Sequence, residues 1–166
     1  MEATIRSFTM IRPALWTSPD FRALSGEDRL LYLYYLSGPH QTLTGVSRVP
    51  DGYTSDDLGW NVQRCQDARR RLAEAGMIES DDDTNEVLIT GWWYDNFPTN
   101  QSHMKGAWRG LSDVKSSRLS KSARGQLESE EQRRSAHKSD ESDSPNESPS
   151  PNSRRLMETL KRRSIT

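Results

Sequence analysis

The sequence predicts a mainly helical fold with one small β-hairpin, followed by a disordered C-terminal tail. Small and apolar residues recur at spacings of three and four between Asn61 and Gly76, which predicts a capped amphipathic helix. Two short β-prone runs after it surround a polar tip, residues 81–85, as in a hairpin. Beyond Leu111 the large apolar residues become scarce. Such a composition buries too little apolar surface to offset the entropy of ordering the chain.

The N-terminal elements are delimited by their end signals. Residues 5–11 form a candidate strand, which the next proline ends. Ser18 and Pro19 then begin a short helical turn that points Phe21 and Leu24 inward.

The first long helix has a clear beginning and end. Ser25 is its expected N-cap, and Asp28, three residues later, can form the reciprocal hydrogen bond of a capping box. Its body, Leu30–Leu36, is apolar nearly all round, so we expect the helix to be central. Gly38 and Pro39 end it.

A strand, a turn and a short helix are expected next. Residues 45–49 form the strand and residues 50–52 the turn. Thr54 is the expected cap of the helix, with two acids, residues 56–57, in its first turn, where the helix dipole favours acids. Gly59 ends this helix.

The long helix and the hairpin complete the domain. The helix runs from Asn61 to Ala75, and its expected buried stripe is Val62, Cys65, Ala68, Leu72 and Ala75. The opposite face carries Gln63, Asp67, Arg70, Arg71 and Glu74. The hairpin strands are expected at residues 77–80 and 87–91. Helix, turn, helix and hairpin in this order predict a winged helix-turn-helix domain, which we place at residues 1–111.

The second helix of such a unit can lie in the major groove of DNA. Gln pairs well with adenine, and Arg with guanine or phosphate. The candidate DNA-binding residues are therefore the polar residues of this helix: Asn61, Gln63, Arg64, Asp67, Arg70 and Arg71. Arg69 lies nearer the buried side, where its stem can cover the core. The alternative is that this face is simply solvated.

The charge of the chain weighs against nucleic-acid binding by the domain. The 166 residues have a net charge of −1, a hydrophobic content of 32% and a mean hydropathy of −0.92. Residues 1–111 carry 11 Lys and Arg against 15 Asp and Glu, a net charge of −4, and residues 112–166 carry 12 against 9, a net charge of +3. The predicted domain is therefore acidic rather than basic.

No catalytic, metal or membrane motif is found in the sequence. Cys65 is the only cysteine, which excludes an intrachain disulfide, and His40, His103 and His137 lack the spacing of metal ligands. No phosphate loop, nucleophile motif or nucleotide fingerprint is present, so we expect neither an enzyme nor a cofactor. Without an apolar run of about 20 residues or a signal-peptide core, we expect a cytoplasmic protein that does not bind membranes.

Several of these motifs, taken together, resemble a known family. Leu15-Trp16-Thr17, Gly38-Pro39-His40, Asp57-Leu58-Gly59-Trp60 and Glu74-Ala75-Gly76-Met77-Ile78 follow one another at distances similar to those in the N-terminal winged-helix domain of phage and prophage replication-initiation proteins, the replisome organisers. The resemblance covers roughly residues 5–98. It implies DNA binding by the domain, with a role for the helix at residues 61–75, and recruitment of replication proteins by the tail. The acidic tip, Asp81–Asp83, departs from the basic tips of wings that contact DNA.

An aromatic cluster follows the hairpin, formed by Trp92, Trp93, Tyr94 and Phe97. These rings could stack on exposed bases. We favour packing against the first helix or in a dimer seam, because large aromatic side chains usually contribute to a core or an interface.

The tail is divided into two segments. Residues 112–153 are expected to be a Ser-rich disordered linker, and residues 154–166 a short basic segment that could be helical. Leu156, Met157 and Leu160 would share one side of that helix, which suggests folding on a partner protein. A DNA-binding arm and a solvated end without a role remain open.

The sequence thus leads to one main hypothesis, a winged-helix protein that binds duplex DNA in phage or prophage replication initiation. The alternatives are a protein-interaction module of a replication complex and a winged-helix transcription regulator. The oligomeric state is not readable from the sequence.

Overall fold

A computed structural model describes residues 9–142, with side chains to residue 137. The chain divides into two compact units at Glu130. In the second unit the described residues are the end of one helix. The candidate partner-binding residues Leu156, Met157 and Leu160 lie outside the described residues, as does the predicted basic segment that contains them.

The chain enters the fold through short helical elements. A 3-10 turn, Pro13–Thr17, precedes α1, Pro19–Ala23. Phe21 is fully buried, as expected. The strand predicted at residues 5–11 is wrong in its described part, because residues 9–11 have extended or irregular backbone and pair with no strand.

Helix α2, Gly26–Ser37, begins and ends where its capping residues predict. Ser25 accepts a hydrogen bond from the backbone N–H of Asp28, at 3.1 Å, and donates one to the Asp28 carboxylate, at 2.7 Å. Gly38 ends the helix. Leu31, Tyr35 and Leu36 of α2 are buried, which makes α2 a central element of the core.

Helix α3 starts earlier than the sequence predicts. It runs from Asp51 to Leu58, with Pro50 as its N-cap residue, so that residues 51–52 are helical rather than a turn. Thr54, the predicted cap, lies fully buried in mid-helix. The two acids at residues 56–57 therefore lie in the last turn, where the helix dipole disfavours acids. Pro50 has no N–H to donate and Asp51 suits the first turn, which accounts for the start.

Helix α4, Val62–Glu74, follows a tight turn. Gly59 ends α3 with a φ of 65°, in the left-handed region that glycine adopts without strain. Cys65, Ala68 and Leu72 are fully buried, as predicted. The stripe is shorter than predicted, however. Its outer members are exposed, because Val62 is the first residue of α4 and Ala75 lies beyond the last one.

Three short strands form one antiparallel sheet in the order β1-β3-β2. The strands are β1, Val46–Arg48; β2, Ile78–Asp81; and β3, Glu86–Ile89. Ile78 pairs with Ile89 and Asp81 with Glu86. The predicted hairpin is confirmed, with its strand ends shifted by one or two residues.

Residues 92–142 are mostly helical, whereas the sequence predicted a disordered linker from residue 112. They form α5, Trp92–Asn96; α6, Gln101–Ser112; and α7, Ser117–Ser142. Leu119, Ala123 and Leu127 of α7 are fully buried. The first unit therefore extends to Glu130, beyond the boundary predicted at Leu111. None of the described helices is both long and apolar enough to span a membrane.

Candidate nucleic-acid interface

The turn between α3 and α4 fixes the direction of the candidate recognition helix. The Asn61 side chain caps α4 by accepting a hydrogen bond from the backbone N–H of Arg64, at 2.8 Å. Asn61 is exposed, but this oxygen is already used in the cap. The Ser55 hydroxyl donates to the carbonyl of Trp60, at 2.5 Å, which ties α3 to the turn.

Two of the six candidate residues, Arg64 and Arg71, point toward α2. Arg64 forms an ion pair with Glu27 through its Nε, and its guanidinium carbon lies 4.3 Å from the ring centroid of Trp60. Arg71 contacts the other carboxylate oxygen of Glu27 at 2.9 Å and an oxygen of Asp28 at 2.7 Å. These two arginines therefore hold α4 on α2.

Asp28 is the buried partner in this contact, with 4% of its surface exposed. Burial raises the pKa of Asp28, but hydrogen bonds from Arg71 and Ser25 outweigh it and leave the pKa below its ordinary value of 3.8. The charge on Asp28 in turn raises the pKa of Arg71. The two side chains form a charge-assisted link between α2 and α4.

Arg69 is more deeply buried than the sequence indicates. Only 5% of its surface is exposed, and its guanidinium donates to the Val49 carbonyl at 3.0 Å and to the Tyr35 hydroxyl at 3.1 Å. An Asp51 oxygen lies 2.5 Å from its Nη2. The head group of Arg69, and not only its stem, thus joins α4 to α2, α3 and the end of β1.

The remaining candidates, Gln63, Asp67 and Arg70, form the outward side of α4. Gln63 and Arg70 both donate to the same Asp67 oxygen, Gln63 at 3.1 Å. The Arg70 side chain is 64% exposed. Gln66, which was not among the candidates, is also exposed and donates to Asp51 at 2.9 Å. This side presents amide and guanidinium groups that base edges and phosphates can accept from.

A polar groove lies between the outward side of α4 and the hairpin. It is lined by Asp51, Gln66, Arg69, Arg70, Ala73, Ser80, Asp82 and Asn85. Asp82 stands at its edge with 90% of its side chain exposed. The groove thus carries charges of both signs.

The hairpin tip is held from within and from α7. One Asp81 oxygen accepts hydrogen bonds from the backbone N–H groups of Asp83 and Thr84, and the other accepts from the Ser116 hydroxyl at 2.5 Å. The hydrogen bond from Ser116 holds the pKa of Asp81 below its ordinary value. Glu86 accepts from the backbone N–H groups of Lys115 and Ser116, at 3.0 and 2.7 Å. These acids therefore fasten the start of α7.

Two of the four motifs that carry the family resemblance contact one another. His40 of the Gly-Pro-His motif lies 3.6 Å from an Asp57 oxygen in the Asp-Leu-Gly-Trp motif. The Tyr34 hydroxyl donates to the same oxygen at 2.6 Å. Tyr53 stacks on His40, with ring centroids 4.9 Å apart. This cluster joins the end of α2 to α3.

The aromatic cluster after the hairpin is mostly structural. Trp92 and Trp93 are buried, and their ring N–H groups donate to the carbonyls of Leu43 and Ala123, each at 3.0 Å. Neither ring is accessible for base stacking. Tyr94 is 53% exposed and lies under the Arg12 guanidinium.

The sequence could not identify the acids that hold the α4 arginines. Glu27 and Asp28 precede Arg64 and Arg71 by about 40 residues, and no local spacing connects them. Among residues 9–137, whose side chains the structure describes, no three His, Cys, Asp or Glu are grouped so that they could hold a metal ion. Comparison with protein-family models, curated proteins and solved structures gave no match.

Proposed function

We propose that residues 26–89 are a winged helix-turn-helix domain that binds duplex DNA through the outward side of α4. The observation that carries the proposal is the order of the elements. Helix α2, strand β1, helices α3 and α4 and the hairpin β2–β3 follow one another, with a sheet order of β1-β3-β2. A second helix after a tight turn is the element that such domains insert into the major groove.

The contacts of α4 reduce the set of DNA-binding candidates. Arg64 and Arg71 are engaged with α2, and the Asn61 oxygen caps the helix. Gln63, Gln66 and Arg70 remain on the outward side, and Gln66 and Arg70 also line the groove. Gln63 and Arg70 would exchange their shared Asp67 partner for a base edge or a phosphate.

A role in phage or prophage replication initiation is part of the proposal. Its support is the resemblance of residues 5–98 to the replisome organisers. Two of the motifs that carry this resemblance contact one another through His40 and Asp57. A transcription regulator would use the same helix chemistry, so the replication role depends on the resemblance rather than on α4.

A protein-interaction module is the second candidate function. It is favoured by the ion pairs of α4, because Arg64, Arg69, Arg70 and Arg71 each contact a carboxylate. Phosphate groups of DNA would have to compete with these carboxylates for the arginine side chains. In this case a replication protein, rather than DNA, would occupy the outward side of α4.

Fluorescence anisotropy with a labelled duplex separates the two candidate functions. We expect Arg70→Ala in the full chain to weaken duplex binding and to lower the magnitude of the salt slope by about 1, as expected for one lost phosphate contact. The matched control is Arg22→Ala, which removes one exposed positive charge from α1. Equal affinities of wild type and Arg70→Ala, with the fold intact, would contradict the α4 assignment.

A further inference from the structure

Charge is distributed very unevenly along the described chain. Residues 9–95 carry 8 Lys and Arg against 14 Asp and Glu, a net charge of −6. Residues 96–127, which include α6 and the first part of α7, carry 6 against 1, a net charge of +5. The single acid in this segment is Asp113. Helix α6 and the first part of α7 therefore carry concentrated positive charge, whereas the elements before them are acidic.

Most of these positive charges are exposed and unpaired. Lys105, Arg109, Lys115 and Lys121 are exposed, and among the residues with described side chains no carboxylate lies within ion-pair distance of them. This differs from α4, whose four arginines all contact acids. Arg118 is the exception, because it pairs with Glu79 of β2 at 3.4 Å.

The basic sides of α6 and α7 adjoin one another. Lys105 and Arg109 lie four residues apart, on one side of α6. Arg124 of α7 reaches across to α6, where it donates to the Ser112 hydroxyl at 2.9 Å and lies 5.7 Å from the ring centroid of Trp108. Lys121 precedes Arg124 by three residues, on the same side of α7. We name Lys105, Arg109, Lys121 and Arg124 the α6–α7 basic surface.

We propose that the α6–α7 basic surface binds the phosphate backbone of duplex DNA. Exposed cations and hydroxyls on helices are the groups that contact phosphates without reading sequence. A protein partner is less well matched, since interface cores are rich in large apolar and aromatic side chains. None of the exposed large apolar residues among those described belongs to α6 or α7. The same absence leaves nothing to insert into a lipid surface.

This surface shares with the proposed function only its ligand, duplex DNA. It supplies sequence-independent affinity, whereas the outward side of α4 would supply sequence readout. The acidic elements from α1 to α5 then approach DNA because α6 and α7 hold it, which would reconcile DNA binding with the charge of −6.

The test uses the full chain with Arg109→Glu and Lys121→Glu, one variant on each helix. Arg22→Glu on α1 is the matched control, because it makes the same change in net charge at an exposed helical position. Duplex affinity is measured by anisotropy at several salt concentrations, and the fold is checked by circular dichroism. Because each position is exposed, we expect all three variants to fold, and either basic-surface variant alone tests the proposal.

We expect each basic-surface variant to lose roughly fivefold to tenfold in affinity near 0.1 M salt, with the salt slope reduced by about 1 in magnitude. The control should remain within about twofold of wild type, since screening weakens charges far from the contact. An equal loss in Arg22→Glu would overturn the proposal, as would unchanged affinity in both basic-surface variants. Binding to phosphatidylserine vesicles is measured for the same variants. A loss of vesicle binding with unchanged DNA affinity would also overturn the proposal.

Comparison with Arg70→Ala distinguishes failure of this proposal from failure of the proposed function. Loss of affinity in Arg109→Glu and Lys121→Glu, but not in Arg70→Ala, would keep the basic surface and reject the α4 assignment. The reverse pattern would keep the α4 assignment and reject the basic surface. A full chain that binds no duplex at low salt would reject both.

Discussion

Asp28 is a buried acid in the contact between α2 and α4. Its carboxylate receives hydrogen bonds from Ser25 and from both Nε and Nη2 of Arg71. Because Asp28 is almost fully buried, the removal of these donors would leave a buried charge unpaired, at a cost of about 1–3 kcal/mol. Arg71 thus links α4 to α2, and its role in DNA binding stays a prediction.

Stability at low pH should therefore depend on Asp28. A carboxyl group whose pKa is lowered by folding stabilises the protein above its ordinary pKa, and this stabilisation is lost as pH falls through the folded pKa. We expect Asp28→Asn to be less stable than wild type by about 1–3 kcal/mol at neutral pH. The difference should shrink below pH 3.8.

Urea unfolding of wild type and Asp28→Asn across pH checks this expectation. The control is Asp20→Asn, an exposed acid in the first turn of α1, which should change stability little. A difference between wild type and Asp28→Asn that persists unchanged in acid would show that the charge of Asp28 is not the cause.

At the scale of elements, α7 completes the domain that α2 to α4 begin. The Ala123 carbonyl of α7 accepts a hydrogen bond from the ring N–H of Trp93, and the two residues just before α7, Lys115 and Ser116, donate backbone hydrogen bonds to the buried carboxylate of Glu86. Arg118 and Ser122 contact Glu79 of β2, which lies at one edge of the sheet. Glu79 and Ser80 of β2 therefore connect the hairpin to α7.

A chain cut after Ser112 should consequently fold poorly, whereas a chain cut after Glu130 should fold. The shorter chain loses Leu119 and Leu127, both fully buried, and loss of a buried Leu side chain costs about 2–5 kcal/mol. Two such losses approach the whole stability of a small domain, about 5–15 kcal/mol. Thermal melts followed by circular dichroism compare the two, and equal melting temperatures would show that α7 is dispensable.

At the scale of the whole molecule, the charge distribution disfavours phosphate contact by the acidic hairpin tip and favours it by the basic helices α6 and α7. Asp82 and Asp83 are exposed at the hairpin tip, beside the groove that faces α4. Asp81 differs from them because it is hydrogen-bonded to Ser116. Asp82 and Asp83 can therefore repel a phosphate, although an Asp82 oxygen also lies 3.8 Å from Nη1 of the buried Arg69.

We expect Asp82→Asn with Asp83→Asn to raise the affinity for non-specific duplex at low salt, because two like charges near the backbone are removed. The control is Asp20→Asn with Asp56→Asn, which makes the same charge change at exposed positions of α1 and α3, away from the hairpin tip and from the α6–α7 basic surface. Anisotropy measurements at low salt decide the matter. An equal rise in both double variants would indicate a general charge effect, and no rise in either would place the tip far from DNA.

The sequence by itself determined the elements whose signals are local. The caps Ser25 and Asn61, the glycine turn at residue 59 and the hairpin depend on residues a few positions apart, which a reader of the chain can recognise. The start of α3 was missed, since Pro50 and Asp51 fit a turn and a helix N-terminus equally well.

Only the tertiary structure decided what each charged residue of α4 contacts and where the domain ends. The sequence does not distinguish Arg64 and Arg71 from Arg70. Their contacts differ because α2 places carboxylates beside Arg64 and Arg71, whereas Arg70 contacts Asp67 of α4 itself. Residues 112–130 are polar on average, yet Leu119, Ala123 and Leu127, spaced four residues apart, are fully buried in the core. Such contacts join residues that are distant in sequence, so composition and periodicity do not reveal them.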